Sequence, residues 1–201
     1  GCYLMGGDSE GYSYANATNN LFINGPAGGG NAMTGARVNG RIVTFDSTLK
    51  NGDIVEVADF RGKYIGRGFY NPQSQISLRI LTRNDEPCDR AFFEKRIRDA
   101  WEYRKIWCDP NSCRLIYSES DFLPGLVVDK FADVLVLQSL SLGIERVKDM
   151  LCDILMEVVK PSGIWERSDV PVRRLEGLEQ TTGLLRGEVP DRVDMVENGR
   201  I

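Results

Sequence analysis

The hydrophobic and polar positions fall into two regimes. From Ile42 to Leu81 the pattern is short and alternating. Ile42-Val43-Thr44-Phe45, then Ile54, Val55 and Val57 up to Asp59, and then Tyr64 to Tyr70 read as strands. Leu49-Lys50-Asn51-Gly52-Asp53 and Arg61-Gly62 read as the turns between them. Gly66 and Gly68 interrupt the third strand, which predicts a bulge or a close backbone approach. After Asn71-Pro72, the apolar Ile76, Leu78 and Ile80 alternate with Ser77 and Arg79. This is a half-buried strand with Arg79 on the exposed face. Several short strands joined by turns predict a small β-barrel.

The period then lengthens. Phe93, Ile97, Ala100, Trp101 and Arg104 form one stripe of a helix over residues 89–107, with Asp89 as its N-cap and alternating charges on the other face. Cys113 to Tyr117, Leu126 to Lys130, Val134 to Leu140 and Ile164 to Glu166 read as strands, and Leu184 to Glu188 as a late one. Gly143 to Val159 is a second amphipathic helix, with Ile144, Val147, Met150, Leu151, Ile154, Leu155 and Val158 on one face. Val170 to Leu175 reads as a short helix. The expected fold class is mixed: a small β-barrel over residues 36–83, a linking helix over 84–112 and an α/β (α+β) domain over 113–201.

Residues 1–35 differ from all of this. They hold no Lys or Arg, and the run Gly28-Gly29-Gly30 gains little from burial. Tyr3-Leu4-Met5 and Leu21-Phe22-Ile23 are each long enough for an edge strand, so irregular chain and added strands both stand open. The charged start and continuous apolar core of a signal peptide are missing.

Charge sharpens the division. The 201-residue chain has a net charge of -4, which excludes a polybasic tail. Yet residues 36–83 carry eight Lys or Arg against four Asp or Glu, and residues 113–201 carry eleven against sixteen. The absence of histidine excludes a His-based triad, a His metal site and a His general base. Five cysteines without a Cys-x-x-Cys pair suit a reducing, cytoplasmic setting better than a disulfide scaffold. No apolar run approaches the ~20 residues that span a bilayer.

The candidate chemistry lies in the basic segment. Arg61, Lys63, Arg67 and Arg79 could grip phosphate, Tyr70 could stack on a base, and Asn71 and Gln75 could read base edges. The competing reading makes Asn71-Pro72-Gln73-Ser74 a turn whose amides satisfy the backbone, with Tyr64 and Phe69 in the core. Glu119-Ser120-Asp121 and Ser168-Asp169 suit turns and caps better than a metal, and Glu166, Arg167 and Asp169 suit a salt-bridged rim. Cys113 reads as a small buried hydrophobe. No Gly-x-Gly-x-x-Gly opens a helix after a strand.

Four ordered stretches carry a resemblance. They are Gly62 to Thr82 (G-K-Y-I-G-R-G-F-Y-N-P-Q-S-Q-I-S-L-R-I-L-T), Asp89-Arg90-Ala91-Phe92-Phe93 with Arg96 and Ile97, Arg114 to Asp129, and Gly163 to Asp169 followed by Arg173 to Leu178. Together they resemble a bacterial and archaeal family of S-adenosylmethionine-dependent enzymes that make 5-methylcytosine in large-subunit ribosomal RNA. The resemblance implies a PUA barrel, a central α/β domain and then a Rossmann-like domain holding S-adenosylmethionine and the catalytic cysteine. None of the five cysteines matches that one. On this expectation the chain is the substrate-facing part of a methyltransferase. It would have no cofactor site, metal or catalytic residue of its own, and would meet structured, ribosomal RNA beside a catalytic domain in cis. Residues 1–35 depart from the family, which opens with a basic helix. The alternative is an interaction module without RNA, whose acidic second half packs on the catalytic domain or on a second copy as a homodimer.

Overall fold

The computed structural model describes residues 21–24, 33–38, 41–46, 50–59 and 63–194. The readings made above for Tyr3-Leu4-Met5, Gly28-Gly29-Gly30 and Arg61-Gly62 lie outside them. The chain divides into two compact units. One comprises residues 1–87 with Leu175–Gly177, the other residues 88–174 with 178–201. The fold is mixed, as expected: a small β unit and an α+β unit.

The first unit contains β1 (Leu21–Asn24), β2 (Met33–Val38), β3 (Arg41–Asp46), β4 (Ile54–Asp59), β5 (Tyr64–Tyr70) and β6 (Leu78–Thr82). One antiparallel sheet runs β1-β4-β5-β6, and β2 pairs with β3. Leu21-Phe22-Ile23 is thus an edge strand, aligned with Val57 to Asp59 of β4. The β4–β5 register is pinned where Gly52 turns at φ +89°: its N–H donates to Tyr70 O at 2.6 Å, and Tyr70 N–H returns to Asp53 O at 2.9 Å. Val55, Val57 and Leu78 form the buried cluster, with Ile65, Tyr70 and Ile80 packed on it. The glycines of β5 are close approaches. A Cβ on Gly66 would lie 2.4 Å from Thr82 O, and one on Gly68 2.3 Å from Arg79 O. The register shifts between Arg67 and Gly68, at the expected bulge.

One expectation is corrected. Ile76 and Ser77 are not in the strand, which starts at Leu78. Asn71 N–H donates to Ser77 O (2.9 Å), and Ser74 Oγ accepts from Ile76 N–H (3.1 Å), so residues 71–77 close into a loop before the ladder begins.

The second unit contains α1 (Arg90–Trp107), β7 (Ser112–Tyr117), β8 (Leu126–Phe131), β9 (Val134–Ser139), α2 (Leu142–Val158), β10 (Gly163–Ser168) and β11 (Thr181–Gly187). Its sheet order is β11-β10-β9-β8-β7. Only β9 and β10 run parallel, because α2 carries the chain across between them. Asp89 caps α1 by accepting from Phe92 N–H at 3.1 Å, and Phe93, Ile97 and Trp101 are buried along the expected stripe. Ser141 caps α2, and Ile144, Leu151, Ile154 and Leu155 face the core. The short helix expected at Val170 to Leu175 is a 3-10 helix, Pro171–Glu176.

Candidate nucleic-acid interface

The loop after β5 is built around one buried carboxylate. Asn71 and Ser74 are themselves buried. Asn71 Nδ2 donates to Glu176 Oε2 (3.0 Å) and to Glu176 O (3.1 Å), and Ser74 Oγ donates to Glu176 Oε1 at 2.5 Å. Arg79 NH2 reaches the same oxygen at 2.8 Å. Asn71 Oδ1 accepts from Gln73 N–H (3.1 Å), so the amide also holds its own turn. The turn reading of Asn71-Pro72-Gln73-Ser74 therefore has substance: the Asn71 amide satisfies backbone groups, and it also donates to the Glu176 carboxylate. Burial alone would raise the Glu176 pKa, but the donors Ser74, Arg79 and Asn71 outweigh it and hold it below the ordinary carboxylate value.

The remaining candidates sit at different depths. Arg79 is not on an exposed face: its side chain is 16% exposed, because Glu176 draws it inward. Arg67 donates to Glu86 O (2.9 Å) and Asp85 Oδ1 (2.9 Å), with Glu56 at 3.7 Å. Tyr70 is half-buried, and burial pushes its phenol up. Lys63 and Gln75 are exposed. Arg61 lies outside the described residues. The structure thus brings together Asn71 and Arg79, leaves Arg67 in a separate acidic setting, and leaves Lys63 and Gln75 at the surface. Glu176 and Ser74 were not among the sequence candidates. Glu176 is 97 to 105 positions from its partners, and no local pattern marks it.

The second unit has its own charged network. Lys148 Nζ reaches Glu145 (2.6 Å) and Glu166 (3.0 Å), and Arg173 donates to Glu145 (2.9 Å) and to Ser139 O. Burial would raise the Glu145 pKa, but Arg173 and Lys148 outweigh it and lower it. Glu166 faces inward from β10, whereas Arg167 is exposed and pairs with Asp169 at 3.4 Å. The expected rim is therefore only Arg167 and Asp169. Asp121 takes a two-pronged bond from Arg104 (3.0 and 2.6 Å), and Ser168 Oγ accepts from Ser139 N–H (3.0 Å). Cys113 is half-buried, and burial raises its pKa. The Cys152 thiol is pushed up to about 11 by burial, the opposite of an activated nucleophile.

The described residues do not fit S-adenosylmethionine. The one crossover with a helix between parallel strands, β9–α2–β10, starts on Leu140-Ser141, with no glycine-rich turn. Ser141 Oγ already accepts from Ile144 N–H (3.5 Å) and donates to Pro124 O (3.3 Å). No group of His, Cys, Asp or Glu among the described residues is placed to hold a metal. No described helix is long and apolar enough to cross a membrane.

With this geometry in place, similarity to other proteins narrows the reading. Residues 39–83 match a PUA-like domain. The chain is 42% identical over 158 residues to ribosomal RNA large subunit methyltransferase I of Vibrio cholerae, a match covering 77% of this chain and 40% of the relative. It is 43% identical over 152 residues to the protein of that name from Alteromonas mediterranea, covering 74% and 38%. The chain thus spans about two-fifths of the length of the curated relatives it matches. Its fold is similar to that of a Streptococcus mutans protein assigned as a SAM-dependent methyltransferase, at a TM-score of 0.62 and 17% identity, covering 77% of this chain and 40% of the other. A second structure, assigned as a methyltransferase and complexed with SAH, gives a TM-score of 0.63 at 16% identity, covering 76% and 39%.

Proposed function

We propose that the chain is the RNA-facing portion of an S-adenosylmethionine-dependent ribosomal RNA methyltransferase that acts on cytosine C5 in the cytoplasm. The carrying observation is the 42% identity over 158 residues to relatives named ribosomal RNA large subunit methyltransferase I. On this reading S-adenosylmethionine belongs to a Rossmann-like domain in cis, outside the described residues, and supplies the methyl group there. The first unit holds structured RNA while the target base leaves its stack. Lys63, Gln75, Arg67 and Arg61 contact phosphate and base edges, and Tyr70 offers its partly exposed ring. Asn71 and Arg79 are positioning residues, since Glu176 holds both and they shape the loop that presents Gln75.

Charge reversal tests this reading. Lys63→Glu should weaken binding of a large-subunit rRNA hairpin several-fold and lower the slope of log affinity on log salt by about one. An unchanged affinity and slope would remove Lys63 from the interface.

One observation favours a second reading, an interaction surface or homodimer. Ile106 and Trp107, at the end of α1, are 72% and 71% exposed. Sedimentation of the chain against Trp107→Ser would separate the two: a dimer that the substitution disperses supports the second reading.

A further inference from the structure

We infer that the second unit carries a separate RNA contact, a slot for one backbone phosphodiester and an adjoining unpaired base, built by Arg96, Phe122 and Tyr103. This deepens the proposed function and rests on it. The slot is a cavity of about 410 Å³ lined by these three residues with Ala100, Arg104 and Asp121 among others. Arg96 is its centre. Its guanidinium carbon lies over two rings, 5.1 Å from the Phe92 centroid and 4.9 Å from that of Phe122. Among the described residues it has no hydrogen bond or ion pair. A guanidinium whose neighbours are aromatic rings and not carboxylates keeps N–H donors for an oxyanion.

The neighbouring charges cancel. Asp121 is occupied by both prongs of Arg104, and Asp99 by Lys95 at 2.6 Å. The lining holds two arginines and two aspartates, and Arg96 is the cation among them that no carboxylate engages, so its guanidinium is the group that would take a phosphodiester oxygen.

The rings supply the second half. Phe122 is 61% exposed and Tyr103 55%, although both line a cavity. Phe122 also sits at φ +59°, a conformation that costs a bulky side chain and that glycine would take freely. A turn that needed only this backbone would be served by glycine; phenylalanine adds a ring on Arg96 with its other face open. The exposed Phe122 ring beside this guanidinium offers the elements that grip a single strand, and Tyr103 adds an exposed ring that already carries Arg104 at 5.2 Å.

The test is photocrosslinking of the full chain to a large-subunit rRNA hairpin whose loop carries 5-iodouridine, with mass-spectrometric mapping and affinities measured in parallel. Crosslinks at Phe122 or Tyr103, with affinity about tenfold weaker in Arg96→Gln at an unchanged Tm, would support the slot. Phe122→Gly should lose the same crosslinks, and it keeps the turn, so misfolding cannot mimic the result. Crosslinks confined to residues 50–83, with Arg96→Gln binding normally, would overturn the slot and leave the proposed function standing. No binding even at low salt would overturn both. Displacement of the crosslink by micromolar cytidine monophosphate would assign the site to a free nucleotide and overturn the strand reading.

Discussion

Each unit buries carboxylates, and each satisfies them differently. Glu176 in the first unit takes the Arg79 guanidinium together with the neutral donors Asn71 and Ser74. Glu145 and Glu166 in the second unit share two cations, Lys148 and Arg173. The first arrangement gathers a loop, because the donors come from residues 71–79 and converge on one acceptor. The second ties α2 to β10 and to the turn carrying Arg173. The Glu176 network, with donors from one loop and the strand that follows it, shapes that loop, whereas the Glu145 and Glu166 network, with partners on separate elements, fastens the scaffold.

The largest effect should follow removal of the single acceptor. Glu176→Ala removes the carboxylate that Ser74, Arg79 and Asn71 share, leaving Asn71 only its bond to the backbone carbonyl of residue 176, and should cost the first unit about 3 kcal/mol in urea unfolding. It should also abolish the RNA affinity proposed for that unit. Replacing both charges with Met in one variant should restore most of the stability without restoring RNA binding. Full recovery of both would mean that the network has no part in presenting the loop.

Lys148→Met comes next, at about 3 kcal/mol, because Glu166 would be left buried and unpaired. Its pH dependence should separate the two networks. In the native chain the Glu176 and Glu145 carboxyls are held below their ordinary value of 4.5. Their stabilisation is complete above that value and is lost as pH falls through the lower folded one. In Lys148→Met the Glu145 carboxyl loses one of the two cations that hold it down, so the deficit should shrink as pH falls from 7 to below that ordinary value of 4.5. A deficit that grows over that interval would contradict the assignment.

Gly68→Ala should cost roughly 1–3 kcal/mol, since the new Cβ meets backbone and not a movable side chain. It would push β6 away and carry Arg79 with it, loosening the first network alone; hydrogen exchange over residues 64–82 would report this. The control is Arg90→Ala, which breaks an exposed pair with Glu157. It should cost less than about 1 kcal/mol, showing that burial and not charge sets the ranking.

Much of the scaffold was legible in the sequence because it is local. The short alternating runs gave β4 and β5, and the short apolar runs Leu126 to Lys130 and Val134 to Leu140 gave β8 and β9. The apolar stripe and Asp89 gave α1, and Gly66 and Gly68 marked where backbones meet. Arg79 was misread because alternation assigns faces but not partners, and its partner comes from 97 positions away. The same limit hid Glu166, whose neighbours Arg167 and Asp169 are exposed. Arg96 was legible only as part of a charged helix face. Its lack of an ion partner emerges once Lys95, Arg98, Arg104 and Lys105 are each seen to hold a carboxylate.

The most direct test of RNA recognition is filter binding of the chain to a large-subunit rRNA hairpin at about 50 mM and about 200 mM salt. Binding at the lower concentration that weakens steeply at the higher is the expected result. No affinity at low salt, or an affinity indifferent to salt, would contradict it.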